Sequence, residues 1–120
     1  MARIAPSPTA PLTAAAFHIL LALGQGERHG YAIAREVETV SKGSVRMGPG
    51  TLYGTLQRLV AGGLVEPSPT AHKSDDSRRR YYRLTPRGRT TLEGELDRLA
   101  TVLAVARRRR LLDHPRPEPA

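Results

Sequence analysis

Between Gly48 and Gly63 the chain reads GPGTLYGTLQRLVAGG. Set at about 100° per residue, Leu52, Leu56, Leu59 and Val60 form one apolar face. Gly50, Thr51, Gly54, Gln57, Arg58 and Ala61 fall on the other, with Tyr53 at the border. The second face is odd for a surface that merely meets water. Each glycine inside a helix costs ~1 kcal/mol relative to alanine, and an Ala- and Glu-rich face would serve solvent better. What the face offers instead is chemistry for a duplex. Bare Gly50 and Gly54 admit a close backbone or base edge, while Thr51, Gln57 and Arg58 supply hydrogen-bonding groups. Arginine pairs with guanine and glutamine with adenine in the major groove. Tyr53 is placed to set its hydroxyl on a phosphate while its ring packs at the rim. Gly48 reads as the helix cap and Pro49 as its first residue, where a missing N–H costs nothing. The unpaired N–H groups of such a start favour phosphate.

Catalytic arrangements are absent from the sequence. His18, His29, His72 and His114 are scattered, with no pair at metal-ligand spacing, so no metal and no cofactor is expected. His29 reads as a capping or packing residue. Asp75 and Asp76 are adjacent and diverge in a strand or turn. There is no Gly-rich phosphate loop and no nucleophile elbow. With no cysteine, disulfides and thiolate chemistry are excluded. The chain is not expected to be an enzyme.

Charge points the same way as the glycine-notched face. The formal net charge is +8, and apart from Lys42 and Lys73 the basic residues are arginines. Such a balance suits a polyanion, nucleic acid first and an anionic membrane surface second. No run of about eighteen apolar residues exists, so nothing is expected to span a membrane. The N-terminal stretch, with three prolines ahead of its apolar run, does not read as a signal peptide. The expectation is a soluble, cytoplasmic protein. At 120 residues and 39% hydrophobic, with one Phe and no Trp, the chain makes one domain with a modest core that leans on a partner chain.

The elements that must position these residues follow from punctuation and period. Residues 1–11 are Pro-rich and read as a flexible arm. Thr13 caps a helix to about Leu23, apolar around much of its circumference and therefore internal. A second helix spans Gly30 to Ser41, with Ile33, Val37 and Val40 inward. The notched helix is the third. Leu64 to Ser68 and Arg78 to Thr85 read as strands of a hairpin, with Tyr82 and Leu84 on one face. The loop between them carries Lys73, and with Arg78, Arg79 and Arg80 it reads as a phosphate-contacting wing or, more blandly, as a solvated charge run partly neutralised by Asp75 and Asp76. Thr85 caps a last helix from Pro86 to about Leu112, followed by a disordered tail over 113–120. Arg87 and Arg89 in its first turn oppose the helix dipole and suggest phosphate. Leu92, Leu96, Leu99, Leu103 and Ala106 make a stripe longer than the domain's core requires. Pairing with the same helix of a second chain buries it; the plainer alternative folds the helix back on its own domain.

The expected fold is thus mainly α with a small β-hairpin: a winged helix-turn-helix over residues 12–85, whose third helix enters the major groove, plus a long C-terminal dimerisation helix over 86–112. HGYAIAREV (His29–Val37), PGTLYGTLQRLVAGGLVE (Pro49–Glu66) and RRRYYRLTPRG (Arg78–Gly88) together resemble the PadR family of bacterial transcriptional regulators, in its shorter branch with a single terminal helix. The resemblance implies a homodimer, usually a repressor, that binds a palindromic operator in double-stranded DNA. It implies that the residues matching Thr51 and Tyr53 lie near the DNA backbone, that Tyr31 edges the DNA surface and that Tyr82 is core. Some members sandwich flat apolar effectors between tryptophans of paired terminal helices. This chain has no Trp, which leaves a small apolar effector a pocket between helices. Gly48 replaces the family's small polar cap, and Gly54 stands where proline is frequent. The other class of function open to a winged helix is a protein–protein adaptor without DNA binding. An adaptor would be neutral on the third-helix and wing side.

Overall fold

Among the described residues, each of the four helices starts where the sequence supplies a cap or a proline. The computed structural model describes residues 12–69 and 80–112. Helix α1 (Ala14–Leu23) begins at Thr13, whose Oγ1 accepts the Ala16 N–H at 3.1 Å. Ile19, Leu20 and Leu23 are fully enclosed, so α1 is the central rod of the domain. Its C-terminal carbonyls are met by two arginines from elsewhere: Arg28 Nε donates to the Ala22 carbonyl at 3.0 Å and Arg89 Nη2 to that of Gly24 at 3.3 Å. Cations suit a helix C-terminus. Arg89, which the sequence suggested for phosphate, makes this contact within the chain while its side chain stays exposed.

Helix α2 (Gly30–Val40) follows the short strand β1 (Arg28–His29) and is capped by His29, as the sequence suggested, with Nδ1 accepting the Ala32 N–H at 3.2 Å. Ile33 and Val37 are buried, but Val40, expected inward, is 46% exposed and lines an open groove with Leu21, Leu92 and Leu96. Helix α3 (Pro49–Ala61) starts at Gly48 with no side-chain cap. Leu52, Leu56 and Leu59 enter the core as the period required, and Thr55 enters with them.

The expected hairpin is present as β2 (Val65–Pro67) and β3 (Tyr81–Leu84), both shorter than the sequence suggested. β1 adds a third strand, giving an antiparallel sheet in the order β1-β3-β2. Arg28 pairs with Tyr82 and His29 with Tyr81 on one side of β3, while Val65 pairs with Leu84 and Pro67 with Tyr82 on the other. A two-residue strand shows no alternation, so no period marked β1. The arrangement makes β3 central, which buries Tyr82, and leaves Pro67 on an edge strand, where a missing N–H is tolerated.

Thr85 ties the sheet to helix α4 (Pro86–Arg108). Its Oγ1 accepts the Gly88 N–H at 2.9 Å as a cap and donates to the Gly63 carbonyl at 2.6 Å, while its own N–H reaches the Leu64 carbonyl at 3.1 Å. The backbone of Leu64 lies so close to Gly88 that a Cβ there would overlap the Leu64 carbonyl oxygen. α4 ends four residues before the expected Leu112: Arg110 turns to φ 61° and the Leu111 N–H bonds back to the Ala106 carbonyl at 2.9 Å. Leu92, expected in the inter-chain stripe, is 4% exposed and belongs to the chain's own core, against α1. Beyond it Leu96, Val102 and Leu103 are exposed. Among the described residues no helix is long and apolar enough to cross a membrane.

Gly88→Ala is expected to lower stability by about 1–3 kcal/mol, because backbone rather than a movable side chain blocks the new methyl. Gly94→Ala, in the same helix with open space around it, should raise stability by up to ~1 kcal/mol. Urea denaturation of the two variants checks the pair, and equal effects would contradict the junction described.

Candidate nucleic-acid interface

The outer face of α3 forms one wall of a groove of about 1060 Å³. The N-terminus of α2 forms a second wall and the β2–β3 sheet a third. Tyr31, Gly50, Tyr53, Gly54, Gln57 and Arg80, all singled out from the sequence, line it together. Thr51 and Arg58 are exposed on the same helix but outside this lining. Lys73, Arg78 and Arg79 lie outside the described residues.

The sequence did not mark His29, Gly30, Val60, Pro67 or Tyr82 as groove residues, yet they complete the lining. Four of them carry an obvious structural role, as cap, helix start, core flank or edge-strand residue, which hides any second use. Tyr82 was expected in the core and is buried there. Burial pushes its phenol above the usual tyrosine range, with Arg80 pulling the other way and Tyr53 adding to the rise. At neutral pH the Tyr82 hydroxyl is therefore a neutral group on the groove floor.

Local packing fixes the upper wall. The His29 ring, held by its capping bond, stacks parallel to Tyr31 at 6.4 Å between centroids and meets Tyr81 edge-on at 5.4 Å. The Arg35 guanidinium lies 5.7 Å from the Tyr31 centroid. Tyr31 is 63% exposed but has a ring on one side and a cation near it, so its exposed phenol is restrained. Lower down, the end of the Tyr53 ring occupies the space that a Cβ on Gly30 would need. Gly30 thus lets α2 and α3 approach with Tyr53 laid between them, its edge still open to the groove.

Charge within the groove is sparse and specific. Among the described residues, Arg80 is the arginine in the lining. Arg83, one strand position on from Tyr82, is neutralised by Glu66 at 2.8 Å, and Arg46 approaches Glu38 at 3.6 Å. At the start of α3 no side chain caps the helix, and the Gly50 and Thr51 N–H groups have no intrahelical acceptor. The groove therefore joins a positive helix end, an uncrowded glycine path and a few directed donors. No group of three or more metal-ligating side chains occurs among the described residues.

Comparisons with known proteins agree with this geometry. The sequence model described as the transcriptional regulator PadR-like family matches residues 19–94. The transcriptional regulator Rv3488 of Mycobacterium tuberculosis is 41% identical over 75 residues, which is 62% of this chain and 65% of that protein. An uncharacterized 37.1 kDa protein in a transposon of Streptomyces fradiae is 45% identical over 82 residues, 68% of this chain but 22% of that protein. The matched region thus spans less than two thirds of either relative. Among solved structures, RosR of H. salinarum aligns at a TM-score of 0.59 with 35% identity, over 83% of this chain and 86% of that one. A PadR-like transcriptional regulator from Bacillus cereus aligns at 0.67 with 24% identity, over 83% and 92%, a likeness of fold.

Gly30→Ala should displace the Tyr53 ring rather than break the fold, because the obstructing atoms end a half-exposed side chain. Its cost in urea denaturation is expected to stay below ~1 kcal/mol, less than overpacking against backbone. A loss as large as that of Gly88→Ala would show that Tyr53 is fixed in place.

Proposed function

The chain belongs to the PadR-like family of transcriptional regulators, and on that premise we propose that it is a DNA-binding repressor that grips a palindromic operator as a homodimer. The observation that carries the reading is the groove along α3, where six residues chosen from the sequence for duplex recognition meet around one open groove. α3 lies in the major groove, with Gln57 and Arg58 reading base edges and Gly50 and Gly54 allowing close approach. Thr51, Tyr53 and Tyr31 hold the backbone. Arg80 contacts phosphate from the wing, together with Lys73, Arg78 and Arg79. The repressor role rests on the family resemblance. Acting on DNA, the protein works in the cytoplasm.

The dimer seam is the outer part of α4. Leu96, Leu99, Leu103 and Ala106, flanked by Val102, form a stripe with Leu103 44% and Val102 52% exposed. Covering side chains already about half buried returns roughly half of the ~1.5–3 kcal/mol of complete burial for each, and a second copy of the same helix supplies a matching face. Two α3 helices then reach successive major grooves about 34–36 Å apart. A small apolar effector would enter beside this seam, where Leu21, Val40, Leu92 and Leu96 line a groove of about 470 Å³.

Selection of bound duplexes from a random pool is expected to enrich two inverted half-sites with centres about 10–10.5 base pairs apart. No enrichment above the non-specific background would remove DNA reading from the protein. Leu103→Asp should give monomers in sedimentation and at least a tenfold weaker hold on the selected duplex. An unaltered dimer would place the seam elsewhere.

A further inference from the structure

Thr55 is the polar side chain buried among the core residues of α3, 3% exposed beside Leu52, Leu56 and Leu59. Helix propensity argues against it, since a β-branched hydroxyl packs there less well than Leu or Ala and brings an oxygen that must be satisfied. That oxygen is used by Arg58, whose Nη2 donates to Thr55 Oγ1 at 3.2 Å. Nη1 of the same guanidinium stands 3.8 Å from the place a Cβ would take on Gly54. The arginine is laid back one turn along its own helix, the direction helical side chains favour. It crosses the notch left by Gly54 and is fastened at one corner by Thr55.

The geometry points to Thr55 as a positioning residue for Arg58, with Gly54 as its seat. Together they hold the guanidinium ready at the margin of the α3 groove for the acceptors of a single base pair. The inference rests on the reading of α3 as the DNA-contacting helix and deepens it. A free arginine loses much rotamer entropy when it is fixed on a ligand. Here part of that loss is taken on folding, so more of the contact energy is left for discrimination. One N–H of the planar fork is engaged. Arg58 is exposed, so the remaining donors are available for the paired acceptors of a guanine edge. Gly54 leaves the flank of the guanidinium open, since even a Cβ there would only touch it at 3.8 Å.

The test uses the full chain and the duplex selected by the unaltered protein, substituted at each base pair in turn. Thr55→Val keeps the shape and removes the acceptor. It should lose discrimination by about 2- to 10-fold, at the same base pair where Arg58→Ala loses it. The salt dependence of binding should not move, because no phosphate contact is removed. Thr55→Ser, which restores the hydroxyl, should restore the preference. A folded Thr55→Val with unchanged preference at every base pair, or with a uniform loss of affinity and no loss of discrimination, overturns the inference while leaving DNA reading intact. If the unaltered protein enriches no duplex, the underlying reading falls and this one with it. Should Thr55→Val fail to fold, ¹⁵N relaxation of Arg58 Nε in the unaltered, duplex-free protein decides. An order parameter above about 0.6 supports a seated side chain, and a lower one overturns it.

Discussion

The backbone of Leu64 occupies the space that any side chain at position 88 would need. Around that contact the end of α3, the start of β2 and the start of α4 are joined by Thr85, whose single hydroxyl accepts from Gly88 and donates to Gly63. These are short polar contacts to backbone groups, with little room for sliding. They set the direction in which α4 leaves the domain relative to the axis of α3. On the proposed reading, in which one helix meets a duplex and another a second copy of the chain, that angle decides whether both halves can be engaged together. The hydrophobic core around α1 supplies most of the stability. The Leu64–Gly88 junction supplies the geometry.

Helix α3 is built with concessions that the rest of the fold absorbs. It has no side-chain cap, carries two glycines on its outer face and buries a threonine among leucines. Each of these weakens a helix taken alone. The compensation is tertiary, since Leu52, Leu56 and Leu59 insert beneath α1 and the sheet. What is gained is an outer face notched at Gly50 and Gly54, with Gln57 exposed on it and Arg58 laid back against Thr55. α4 makes the opposite choice. It is capped and proline-initiated, closes at Arg107 and Arg108, and keeps its apolar stripe uncovered over the outer half.

The arginines show how far net charge alone can mislead. From the sequence they form one basic population. In the fold they divide by partner. Arg28 and Arg89 close the carbonyl end of α1, Arg83 pairs with Glu66, Arg98 makes a two-point contact with Glu95, and Arg35 lies near a tyrosine ring. Arg80 remains in the groove. A cation that opposes one helix dipole, as Arg89 does at the start of α4, can serve the opposite end of another helix that only folding brings near.

Much of this molecule was legible in the chain because its signals are local. Thr13, Gly48-Pro49 and Thr85-Pro86 mark helix starts through backbone groups that must be satisfied nearby, and the spacing of Leu52, Leu56 and Leu59 marks a buried face through the pitch of one helix. The face of α3 that lines the groove follows from the same pitch. Other features have no local signal. β1 is two residues long and exists only because β3 offers it an edge. Leu92 continues a stripe that looks uniform in sequence, but the crossing with α1 divides it into a core residue and an exposed remainder. Val40 obeys the helical period yet is left half-exposed at an open groove between α1, α2 and α4. Residue type and period thus determined which faces are apolar, where helices begin and which side chains α3 turns outward. Tertiary structure alone decided which of those faces find a partner within the chain, because coverage depends on where a second element ends, and no local spacing encodes that.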